Sequence, residues 1–248
     1  MRTANPLLRA DTFDLRAQSS QSTMSIMGTV NKTAFLVLIV FGCAMWTWNE
    51  FPVTGRGINA GVYPWLIGAS IGGLVLALVT SFKKEAAFVT APLYAACEGV
   101  LLGAISALFE ARFPGIAIQA TGLTATTLIG LLLAYRSGLI KATENFKLGV
   151  TAATGAICLM YFLSWILRMF GVPMPFLHDS GLLSIGISMV IVAVAALNLV
   201  LDFDFIEQGQ ANGAPKHMEW YAAFGLLVTL VWLYIETLRL LAKLQDRR

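Results

Sequence analysis

Apolar residues fill the chain between Thr33 and Leu244 in seven long runs, broken by short polar links. The runs cover roughly 33–49, 62–82, 86–109, 117–135, 147–168, 181–203 and 218–244. Crossing a bilayer as a helix takes about 20 residues at about 1.5 Å each, so every run is of spanning length. The runs are continuous rather than alternating apolar and polar, and in lipid only helices or closed barrels satisfy the backbone. Continuity selects helices. The links SFKKE and EARFPG are short, so sequential helices run antiparallel. The pattern predicts an all-α membrane bundle of seven transmembrane helices: a polar tail over 1–30, then a single domain over 31–248.

Three runs carry a carboxylate. Glu98 lies in AAFVTAPLYAACEGVLLGAISALF, Asp202 closes LLSIGISMVIVAVAALNLVLD, and Glu236 lies in AAFGLLVTLVWLYIETLRLLAKL. A charge near the bilayer centre costs roughly 2.5–3.5 kcal/mol on insertion scales, so each acid is a functional candidate. Glu98 stands near mid-run and reads either as a cavity-facing proton or cation site or as a neutral acid bonded to a neighbouring helix carbonyl. Asp202 and Asp204 are two residues apart and point about 200° from each other on a helix. One faces the bundle and the other the headgroups, and Asp202, which follows the longer apolar stretch, is the inner one. A simple interfacial carboxylate is its alternative reading. Glu236 and Arg239 are i and i+3 and can touch, which makes a local ion pair as natural as a transport role. Glu207, Lys216 and Glu219 read as a solvated edge.

Composition agrees with the pattern. The 248 residues are 57% hydrophobic and 12% charged, about half the charged share of a soluble domain. A net charge of +3 suits anionic lipid heads and gives no reason to invoke nucleic acid. Basic residues in the links favour a cytoplasmic N-terminus, with Arg2, Arg9, Arg16, Lys32, Lys83, Lys84, Arg136, Lys141, Lys147 and Lys216 on that side. Arg56, Arg112 and Arg168 fall opposite. Seven spans then send Arg239, Lys243, Arg247 and Arg248 outside, against that rule. Six spans with one re-entrant helix would remove the conflict. The first run follows a long mixed-charge tail and has no small-x-small site, so it reads as a helix rather than a cleaved leader.

Other chemistry is sparse. Cys43, Cys97 and Cys158 lie within apolar runs without CxxC spacing and read as small buried packing residues. His178 and His217 are isolated. No metal set, cofactor motif or nucleophile–base arrangement stands out, so no enzyme is expected. Gly68-x-x-x-Gly72 and Gly99-x-x-x-Gly103 match the small-xxx-small pattern of close helix approach. Trp46, Trp48, Trp65 and Trp220 sit near run ends, where interfacial tryptophans concentrate.

The segments NPLLRADTF, GTVNKTAFLVLIVFGCAMWTW, QATGLTATTLIGLLLAYRSGLIKATENFKLGV, LVLDFDFIEQG and LYIETLRLLAKL resemble the Bax inhibitor family, and most closely its bacterial branch with a polar N-terminal tail. The resemblance covers nearly the whole chain and rests on order and length more than on any one block. It implies a bundle with the last helix central and a pH-sensitive calcium leak governed by two aspartates on the sixth and seventh helices. It also implies a possible tie to a membrane-anchored AAA protease. The first aspartate matches Asp202. The second matches Glu236 by local wording, but aligning the basic residue of the LLRLL-type ending on Arg239 places Thr229 there. The second run lacks the arginine that locks the acid pair in family members.

The expected function is a pH-modulated cation leak, with calcium a candidate ion, in the cytoplasmic (inner) membrane. Asp202 is its main proton-sensitive group, and Glu98, Glu236 and Arg239 are pathway or gating candidates. The alternative is a non-transporting regulator that binds another membrane protein through the tail and the loop 204–217.

Overall fold

The computed structural model describes residues 23–50, 63–171 and 181–247. Most of the tail, Arg2, Arg9 and Arg16 included, lies outside the described residues, as do Arg56, His178 and Arg248. Seven long apolar helices are present among the described residues: α1 Ile26–Glu50, α2 Tyr63–Phe82, α3 Ala87–Arg112, α4 Ile116–Arg136, α5 Glu144–Met169, α6 Leu182–Ala211 and α7 Met218–Asp246. The expected seven-helix bundle is the observed fold. Helix α1 starts at Ile26, so the last residues assigned to the tail belong to the folded domain. Helix α6 runs to Ala211, well beyond the apolar run, and its last turns still bury Phe203 and Ile206 against the core that Leu226 shares.

Local chemistry sets the ends. The Thr143 hydroxyl accepts from the Phe146 amide and caps α5. Between α3 and α4 the chain reverses at Gly115, whose φ of 86° favours glycine. There the Glu110 carboxylate accepts from the Gly115 and Ala117 amides, satisfying donors at the start of α4. Within the helices, hydroxyls such as Thr33, Thr47, Thr80 and Thr121 donate to the carbonyl four residues back. A hydroxyl satisfied this way adds no unpaired donor in lipid.

The last helix is central. Half of the apolar window of α7 is buried inside the protein, against 11–17% for α1, α2, α4 and α5. It packs against α1, α3, α4 and α6. One of its faces joins Leu36, Tyr94 and Leu102 through Phe224, Leu227 and Val231. Another meets Leu199, Phe203 and Ile206 of α6 through Leu226 and Leu233. Helix α1 lies against α3 at short range: a Cβ on Gly99 would stand 2.6 Å from the Val40 carbonyl, and one on Gly103 would stand 2.4 Å from that of Ala44. Only this glycine pair serves a tight crossing. Gly68 faces open space, and Gly72 meets nothing nearer than the Cys97 sulfur at 3.4 Å.

Seven antiparallel crossings separate the two ends of the domain. Lys32 and Glu219 lie at one end, and Arg112 bonds Asp246 at the other. All seven elements are full-length helices, which leaves no re-entrant one, and α7 ends opposite the start of α1. Trp46 and Trp65 meet edge to face at 5.3 Å at the same end of α1 and α2. Cys43 and Cys97 are half-buried, but Cys158 is exposed on α5, contrary to its reading as a buried packing residue.

Candidate functional site

Asp202 points into the seam between α6 and α7. Its Oδ2 is buried and has no hydrogen-bond partner among the described residues, which is rare in folded proteins. The hydroxyl of Thr229, on α7, faces the carboxylate and lies 3.3 Å from the Gly225 carbonyl of its own helix. Asp204 turns the other way and bonds Lys147 of α5 at 2.9 Å. The two aspartates thus point apart, but Asp204 is largely covered and tied to α5 rather than left to the headgroups.

Glu236 does not reach Asp202. It stands seven residues beyond Thr229 on α7, about 10.5 Å along the axis, with the buried Leu233 between them and the buried Leu199 opposite on α6. Its carboxylate is 2% exposed and accepts from the Tyr161 hydroxyl at 3.1 Å and from Arg239 at 3.1 Å. The expected Glu236–Arg239 pair is therefore formed, with Tyr161 of α5 as a third member. A cavity of about 90 Å³ lies here, and Lys243 borders it, donating to the Ser188 hydroxyl at 2.7 Å. Tyr161, Ser188 and Lys243 were not legible as site residues. Lys243 is seven residues from Glu236, so they share a helix face, and that spacing was the only signal available.

Glu98 belongs to a third place. It faces Tyr94, one turn earlier on α3, and a Cβ on Gly73 of α2 would lie 3.6 Å from its Oε1. It does not line the cavity beside Glu236. The three acids thus occupy three separate seams, and no two of them form a pair.

A fourth carboxylate corrects the sequence reading. Glu219 is 1% exposed, not part of a solvated edge, whereas Glu207 and Lys216 are exposed as expected. It accepts from the amide and hydroxyl of Ser25, both at 3.0 Å, and pairs with Lys32. Lys32 also sits 5.4 Å over the Trp220 ring. Next to it, the Met24 amide donates to the Ala214 carbonyl at 2.7 Å, and Thr23 bridges Pro215. Met24 is buried on the end of the α6–α7 seam with Phe203 and Ile206. Residues 23–25, the stretch just before α1, therefore form a strap over the end of the α6–α7 seam, and Lys32 in the second turn of α1 ties that helix to the Glu219 carboxylate. Ser25 and Lys32 are 194 and 187 residues from Glu219, a separation that no local pattern reveals.

The donor sets limit the chemistry. Among the described residues no cluster of three or more His, Cys, Asp or Glu side chains could hold a metal, and calcium takes six to eight oxygens. One carboxylate facing one hydroxyl is instead suited to holding a proton: Oδ2 can accept one without giving up an existing hydrogen bond.

No curated protein and no solved structure matches the chain. The family described as Bax inhibitor 1 like matches residues 5–246. That match takes in all seven helices, the Asp202 seam and the strap, so the chain is a multi-pass membrane protein of the Bax inhibitor 1 like family.

Proposed function

We propose that this protein is a pH-modulated cation leak of the cytoplasmic membrane, working without a cofactor or catalysis, with Asp202 as its proton-sensitive group. The observation that carries the reading is the buried, unpartnered Asp202 Oδ2 at the seam of the central helix. An uncompensated ionised carboxylate there is costly. Gain or loss of its proton changes the charge at a helix–helix contact and biases one packing of α6 on α7 over another. Calcium is the first ion to test, as a permeant species rather than a bound one, since the seam lacks a calcium donor set. The single carboxylate means that proton control works here without an acid pair.

Reconstitution of the full chain in vesicles loaded with a calcium-sensitive dye tests this. Leak should vary with pH in the wild type, and Asp202→Asn, which mimics the neutral acid, should hold it at the acid-side value throughout. Equal leak from the two proteins at every pH overturns the role of Asp202.

A second reading has its own support. Thr23 bridges Pro215, so the last residues of the tail meet the α6–α7 loop, which supports a joint role for them. On this reading the protein regulates another membrane protein, such as a protease, through that combined surface. Truncation of 1–22 would then abolish co-purification of the partner and leave ion flux unchanged.

A further inference from the structure

A second cavity, of about 210 Å³, is lined by residues of α1, α3, α4 and α7. Helices α1 and α4 both pack on α3 and α7 and leave a gap between themselves. The exposed Phe41 and Ala125 flank the gap, and the buried Leu227 and Val231 of α7 form its floor. The Leu227–Val231 face of the central helix is thus reachable from the lipid-facing surface through this gap.

We propose that this cavity is a binding site for one acyl chain of a bilayer phospholipid. Size is the first argument. An apolar cavity of about 150 Å³ already takes up benzene or xenon and stays free of water, and this one is larger. Chemistry is the second, because the four hydroxyls along the wall ask nothing of a ligand. Ser106 and Tyr234 bond each other at 2.6 Å, and Thr121 and Thr124 donate to the carbonyls of Ala117 and Ala120 at 2.9 and 2.8 Å. With those groups satisfied, the lining presents hydrocarbon and selects hydrocarbon. Continuity is the third. The mouth merges with the outward faces of two membrane-spanning helices, where Leu38 and Leu123 are exposed, so the molecules that meet it are lipid tails. An acyl chain seated here replaces missing side-chain contacts on α7.

The test uses the full chain in bilayers of a phosphatidylcholine carrying a photoactivatable group on one acyl chain, with adducts mapped by peptide mass spectrometry. Adducts should appear on Leu227, Leu230, Val231 and Tyr234, the α7 residues that line the cavity, as well as on the outward Leu38 and Leu123. Ala125→Trp, which closes the mouth from its exposed side, should remove the α7 adducts, and Ala125→Gly should keep them. Retained labelling at Leu38 and Leu123 in both variants shows that they are folded. Absence of α7 adducts in the wild type, or adducts that survive Ala125→Trp, overturns the site. Loss of α7 adducts on adding a trace of free oleate, with phospholipid in large excess, assigns the site to a free fatty acid and overturns the phospholipid reading.

Discussion

Thr229 and Asp202 face each other across the α6–α7 seam, and Glu236 is about 10.5 Å further along α7. Of the two positions that the family resemblance offers for a second aspartate, the one that faces Asp202 is therefore Thr229, which carries a hydroxyl. Two adjacent carboxylates cannot both ionise cheaply and come to share a proton. Thr229→Asp should create such a pair. Its leak, read with a calcium-sensitive dye, should change over a pH interval where the wild type is constant.

The Glu236 and Arg112 ion pairs should respond very differently to loss of their arginines. Glu236 is buried, so Arg239→Gln leaves a nearly sealed carboxylate with the Tyr161 hydroxyl and the charge of Lys243 across the cavity. Breaking a fully buried pair costs about 3–5 kcal/mol, and the half-exposed Arg239 places this case below that range. The Arg112–Asp246 contact is exposed on both sides, where pairs are worth about 0–1 kcal/mol. Thermal unfolding in detergent should show a clear loss for Arg239→Gln and almost none for Arg112→Gln.

Gly28 should tolerate no side chain. A Cβ there would stand 2.3 Å from Glu219 Oε1, and that carboxylate cannot swing aside because Ser25 and Lys32 hold it. Gly28→Ala should loosen the strap, and limited proteolysis should cut near residues 23–28 faster than in the wild type. Glu219→Gln, which keeps the shape and removes the charge opposite Lys32, should act in the same direction more weakly.

The two glycine motifs should separate under substitution. Gly103→Ala pushes against the Ala44 backbone, which cannot yield as a side chain can. Overpacking of this kind costs about 1–3 kcal/mol, or more where backbone must move. Gly68→Ala meets nothing. The melting temperature in detergent should fall for Gly103→Ala and Gly99→Ala and stay level for Gly68→Ala.

Hydrophobicity along the chain was enough to determine seven helices, their approximate limits and their antiparallel order, because a bilayer forces any long apolar segment to close its own hydrogen bonds. It also marked Glu98, Asp202 and Glu236, since an acid in such a segment stands out against lipid. Partners were another matter. Sequence spacing constrains only residues within a turn or two, which is why the Glu236–Arg239 contact and the opposed directions of Asp202 and Asp204 were readable. Tyr161 on Glu236, Thr229 on Asp202 and Ser25 with Lys32 on Glu219 each depend on how one helix is rotated against another. That rotation is settled by packing over the whole bundle, through close approaches such as Gly103 on Ala44 and shared cores such as Leu199 with Leu233. So the chain alone determined where charge enters the membrane, and only the tertiary structure decided which charges are paired, buried or left with an open oxygen.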